Sequence, residues 1–225
     1  RLDPYRTRIL IDAYRGGVLA SFGHNHVIEA VHEQGIWMTH GKQGQGWLCF
    51  PLQSMRVDAP TLRRLAGPGF QAPINRVETQ ATRRHMLESL NARRYPNVIL
   101  SVSNGDIPGT HWLIRISLHG VLWTHDFPLT YDLSPLHVEA RIRFAVNQTS
   151  FRIHPYSILA GALRVRDTLH LSGQVYATRI RHPEMTYTGF HCPLVLMTTD
   201  LIVHPILYLY TDFGVGSLYV GQLHG

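Results

Sequence analysis

His24 and His26 are the residues of this sequence whose type and spacing could most directly do chemistry. Two apart in an extended strand, their imidazoles would project from one face, the arrangement by which strand histidines share a metal ion. A metal site needs further ligands. His119, His85 and Glu29 qualify by chemistry alone, because no spacing brings them to the pair, and fifteen histidines make chance pairs expected. The pair is therefore read first as hydrogen-bonding groups, in the structure or at the head of a ligand, and second as candidate metal ligands. The string His24-Asn25-His26 is not a nuclease motif, since the helix and spaced ligands of that fold are absent.

Other catalytic chemistry finds little support. No Gly-x-Ser-x-Gly elbow occurs, so a serine nucleophile for acyl transfer is not expected. Carboxylates are few and scattered, without a local pair for acid/base work. Cys49 and Cys192 form no Cys-x-x-Cys pattern, which argues against a zinc knuckle or dithiol redox centre and leaves them as buried small hydrophobes. Asn147-Gln148-Thr149 fits the glycosylation acceptor pattern, but such triplets often arise by chance. The formal charge of +6 favours acidic partners, yet the pairs Arg63/Arg64, Arg83/Arg84 and Arg93/Arg94 are dispersed rather than concentrated with stacking aromatics. Nucleic acid is not the expected partner.

The elements that must position these residues are mainly strands. With 44% hydrophobic and 16% charged residues over 225 positions, the chain is globular, sized for one large β domain or one domain plus an appendage. Period-two alternation is clearest at Val138, Ala140, Ile142, Phe144 and Val146, and recurs at Trp112, Ile114, Ile116 and Leu118 and at Leu169, Leu171, Val175 and Ala177. Shorter strands are expected over Arg8 to Tyr14, Gly46 to Pro51, Val98 to Ser103 and Phe127 to Tyr131. Turns between several of these are too short for helical crossovers, so the sheet is antiparallel. Two helices interrupt it: Ala59 to Leu65 after Asp58, and Val77 to Asn91 with Asn75 as its cap, ending by Arg94 ahead of Pro96. The second has sparse apolar positions, as suits a surface helix over a barrel mouth.

Four segments carry a family likeness. Tyr14 to Ile28, with its histidine pair, is followed by Thr82 to Leu87 leading through Arg94-Tyr95-Pro96-Asn97-Val98 into a strand. Then come Ile116-Ser117-Leu118-His119-Gly120-Val121 and Gln148 to Asp167, which contains Ser150-Phe151-Arg152-Ile153 and Gly161-Ala162-Leu163-Arg164-Val165. In order and spacing over about residues 5 to 180 the chain resembles the YceI-like family. That resemblance implies an all-β, antiparallel, lipocalin-like barrel with one or two short covering helices. It also implies a periplasmic or secreted setting and, in some members, an enclosed polyisoprenoid chain. A closed barrel also accounts for many strands without exposed edges.

The barrel is expected over residues 1–180 and an apolar extension over 181–225. The stretch from Pro193 to Tyr210 contains Asp200, His204 and Pro205, costly near a bilayer centre, so contact with a membrane surface or membrane protein is expected over spanning. The chain begins at Arg1 without a basic-then-apolar leader, consistent with a removed export signal or with a piece of a longer chain.

The leading expectation is a non-enzymatic binder or carrier of a lipid-like molecule, an isoprenoid or a quinone type, with no cofactor required. Expected ligand-binding residues are His24, His26, Arg84, His119, Phe151 and Tyr156, with the polar ones near a barrel mouth. An accessory or scaffold subunit docked through the extension is the alternative, and a metal-handling protein using His24 and His26 is the third.

Overall fold

The computed structural model describes residues 3, 5–31, 34–40, 43–103, 111–128, 130–134 and 136–178. All belong to one compact unit, Arg1–Pro183. The expectations for residues 181–225 lie outside the described residues.

Alternating sequences become strands with one buried face. β1 (Arg8–Gly16), β2 (His26–Ala30), β3 (Gln34–His40), β4 (Gln43–Pro51) and β5 (Arg56–Val57) precede the helices. After them come β6 (Asn97–Ser103), β7 (His111–Leu118), β8 (Val121–Pro128), β9 (Thr130–Leu133), β10 (His137–Asn147), β11 (Ser157–Ile158) and β12 (Leu163–Thr178). The two strongest patterns fall as expected: Trp112, Ile114 and Ile116 on β7, and Val138, Ala140 and Val146 on β10, are buried. The strand expected over Phe127 to Tyr131 is instead the joint of two strands, β8 and β9. Pro128 closes the first, since it has no N–H to continue a ladder.

Every pairing is antiparallel. One sheet runs β5-β2-β1-β12-β10-β9, with β11 on the side of β12, and the other runs β3-β4-β6-β7-β8. The chain passes from the first sheet to the second between β2 and β3 and again between β5 and β6, and returns between β4 and β5 and between β8 and β9, so that the sheets face each other as the two walls of a lipocalin-like fold. Side chains of both walls share one core: Ile9, Ala13 and Ile28 of the first sheet pack with Leu48 and Phe50 of the second. The 16-residue β12 pairs with β1 on one side and β10 on the other. Between Ala13 and Arg15 of β1, β12 carries extra residues, a bulge that bends this long central strand.

Two helices cover the barrel: α1 (Pro60–Leu65) and α2 (Arg76–Ser89). Asn75 caps α2 as expected, its carboxamide oxygen accepting the Glu78 N–H at 3.0 Å while the Glu78 carboxylate accepts the Asn75 N–H at 2.8 Å. The helix ends two residues before the expected Asn91. Asn91 adopts a left-handed φ of 46°, and the Ala92 N–H bonds the Leu87 carbonyl at 2.9 Å. Only Met86, Leu87 and Leu90 of this segment pack on the core, so α2 lies on one end of the barrel with its other face in solvent. The helix expected over Ala59 to Leu65 begins one residue later, at Pro60, with Ala59 in the cap position and the Asp58 carboxylate engaged elsewhere.

Candidate functional site: an apolar cavity between the sheets

A cavity of about 60 Å³ lies between the two walls. β10 contributes Val138, Ala140, Ile142 and Phe144, and β12 contributes Val175 and Ala177. Leu48, Leu100, Val102 and Ile114 face them from the second sheet. No charged side chain among the described residues lines it. Such a lining holds hydrocarbon by removing area from water, at roughly 25 cal/mol per Å², and gives water no partners.

The cavity occupies one half of the barrel and the sequence-predicted site residues occupy the other. Its lining on β7 and β10 is Ile114 and residues 138–144, whereas His119 lies past the end of β7 and Phe151 past the end of β10. His119 and Gly120 make the two-residue β7–β8 turn, with φ of 55° and 75°. The His119 Nδ1 is 3.0 Å from the Phe151 carbonyl oxygen, and Phe151 itself is a buried core residue. Tyr156 is exposed and stacks on His85 of α2 at 4.3 Å between ring centres, while Arg84 is exposed on the same helix. These residues bridge α2 and the loops to the barrel end, and none lines the cavity. Expected polar contacts between them and a ligand in this cavity are therefore not what the geometry provides.

The shared face of His24 and His26 is likewise corrected. β2 begins at His26, and His24 precedes it, after the single turn Ala20–Phe22. The His24 Nδ1 is buried without a hydrogen-bond partner. His26 is instead held by Asp58, whose Oδ2 is 2.6 Å from its Nδ1. Glu29 pairs with Arg8 and Arg56, both at 3.3 Å, and His85 and His119 sit elsewhere. Among the described residues no three His, Cys, Asp or Glu side chains converge on one point.

Asp58 is the buried centre of a network the sequence reading missed. Its carboxylate, fully shielded from solvent, accepts from the Val27 N–H at 3.0 Å and Arg63 Nη1 at 2.8 Å besides meeting His26. Arg63 also donates to the carbonyls of Asn25 and Ala72. Burial pushes the Asp58 carboxyl upward, but the hydrogen bond and charge of His26, with Val27 and Arg63, outweigh it and hold the pKa below its ordinary 3.8. This arrangement ties α1 and the loop after it to β2. None of its residues lines the cavity between the sheets. Cys49 is buried on β4, as expected, and is disulfide-bonded, which its reading as a small hydrophobe did not include.

With this geometry established, comparison with solved structures decides the fold. The crystal structure of BcnA from Burkholderia cenocepacia matches 79% of this chain and 100% of its own, with a TM-score of 0.51 at 9% identity. The fold is YceI-like. The Campylobacter jejuni YceI protein matches 66% of this chain and 83% of its own, with a TM-score of 0.42 at 9% identity. No family model matches the sequence, and no curated protein does.

Among the described residues no backbone ladder joins the two sheets, and one of the seams between them lies where β8 meets β10. β8 ends the second sheet, and β10 pairs with β9 only from Val138 to Arg141. Beyond that, among the described residues, β8 and β10 meet through side chains: Phe127 lies 4.8 Å and Trp123 6.1 Å from Phe144, ring centre to ring centre. The sequence reading passed over β8, although Val121, Trp123, His125 and Phe127 alternate as a half-buried strand should.

Proposed function

We infer that this protein binds the chain of a lipid-like molecule, an isoprenoid or quinone tail, between the sheets of its barrel, and does so without catalysis. The observation that carries this reading is the cavity's all-apolar lining, continuous across both walls. The family likeness of its segments points the same way. Sites for small molecules run to roughly 300–1,000 Å³. A chain therefore needs the walls to part beyond the present 60 Å³. A periplasmic or secreted setting fits the disulfide at Cys49, because such bonds persist in oxidising compartments. The direct test is mass spectrometry of an organic extract of natively purified protein. A stoichiometric polyprenyl, quinone or acyl species supports the reading, and an extract without one, from protein that also refuses such lipids when supplied, ends it.

The apolar stretch from Pro193 to Tyr210 supports a second, compatible reading, in which the extension docks the protein on a membrane surface or membrane protein. Flotation of the full chain with vesicles, compared with Leu201→Glu, tests it. Equal flotation of the two would remove it.

A further inference from the structure

We propose that the seam between β8 and β10 is the portal through which an apolar chain reaches the cavity, an inference that rests on the lipid-binding reading above. Across the β7–β8 ladder, Trp123 faces Ile116, His125 faces Ile114 and Phe127 faces Trp112. These partners are core residues: Ile114 is 1% exposed and Trp112 2%. His125, on the same inward face, is nevertheless exposed. Solvent reaches an inward-pointing side chain of the barrel wall, and it does so at the seam.

The rings closing the seam also form the cavity wall. Phe144 stacks toward Trp123 and Phe127 and lines the cavity, so a single side chain separates the two spaces. Opening the barrel along a ladder breaks backbone hydrogen bonds and leaves their donors and acceptors unpaired. At the seam only ring contacts separate, and a hydrocarbon chain sliding between ring faces replaces what is lost. Flat ring faces admit a single unbranched or isoprenoid chain more readily than a fused-ring molecule. Arg143, exposed on the outer face of β10 between Ile142 and Phe144, is placed to meet an acidic head group left outside.

The test is stopped-flow binding of cis-parinaric acid, a fluorescent carboxylate-headed chain, to the full-length protein. His125→Arg puts a long charged side chain across the seam, and Leu122→Arg puts the same charge on the outer face of the same strand. The portal requires association and dissociation both about tenfold slower in His125→Arg, as a barrier raised equally in both directions demands, while Leu122→Arg keeps the parental rates. His125→Ala should speed both, and it decides the matter if the arginine variant does not fold. Unchanged rates in the His125 variants, with parental binding intact, overturn the portal and leave the lipid-binding reading standing. Absence of binding in the parent overturns both.

Discussion

The Nδ1 of His26 stands 2.6 Å from the Oδ2 of Asp58, and the other oxygen of that carboxylate is held by Arg63 at 2.8 Å. One buried carboxylate thus fastens the first residue of β2 to α1. Removing it leaves Arg63, only 7% exposed, without its counter-ion. Asp58→Ala should cost roughly 3 kcal/mol or more, because an unpaired buried charge remains. His26→Ala should cost roughly 1–3 kcal/mol, the loss of one partner to a buried acceptor. Urea unfolding of the three proteins measures both, and an Asp58→Ala loss no larger than that of His26→Ala would contradict the network.

The same carboxylate sets an acid limb. Its folded-state pKa lies below 3.8, so on acidification the unfolded chain takes up the proton first. The stability it contributes is complete above 3.8 and is lost as the pH falls through the lower folded-state value. Asp58→Asn should flatten this part of the stability-against-pH curve. An unchanged acid slope in that variant would show that Asp58 is not its source.

Gly120 and Gly67 separate backbone strain from crowding. Both have positive φ, 75° and 98°, but a Cβ at Gly120 would meet the Tyr95 ring at 2.9 Å, whereas one at Gly67 meets nothing within 4 Å. Gly67, with ψ −175°, lies in the extended positive-φ region that only glycine readily adopts, so Gly67→Ala should lose roughly 1–3 kcal/mol from backbone strain alone. Gly120→Ala adds the clash with the ring, so it should lose more in the parent than in a Tyr95→Ala background by thermal or denaturant unfolding, and equal losses in the two backgrounds would remove Tyr95 from the explanation.

Much of the fold was legible and much of the site was not, for one physical reason. Periodicity reports which face of a strand is buried, so β7, β10 and the capped helix α2 were readable from Trp112, Val138 and Asn75 alone. It does not report which strand lies beside which. The Asp58 network joins residues 26, 58 and 63 through a left-handed turn at Asp58, φ 52°, which no local pattern announces. His24 and His26 invited a metal reading by their spacing, but spacing counts only inside a strand, and β2 begins at His26, two residues too late for His24 to join it. The seam depends on a stretch of β10 that, among the described residues, has a ladder with β12 but none on its β8 side, a property of topology. Only the alternation of Trp123, His125 and Phe127 could have pointed to it.

Cys49 gives a chemical check on the β4 wall. Because it is disulfide-bonded, iodoacetamide should leave it unmodified in denatured, unreduced protein and label it after reduction. Peptide mass mapping reads this directly, and labelling before reduction would contradict the bond.

An apolar chain held between the sheets, as proposed above, would lie against Ala140. It is 8% exposed, lines the cavity and packs with Trp112. Ala140→Phe should fill the cavity at a cost of about 1–3 kcal/mol in overpacking, which a melting curve will register without loss of the fold. The decisive measurement is the equilibrium titration of cis-parinaric acid into the parent and this variant. The account requires saturable binding by the parent and an affinity at least about tenfold weaker, or about 1.4 kcal/mol, in folded Ala140→Phe. Equal affinity in the two proteins, or no binding by the parent, contradicts it.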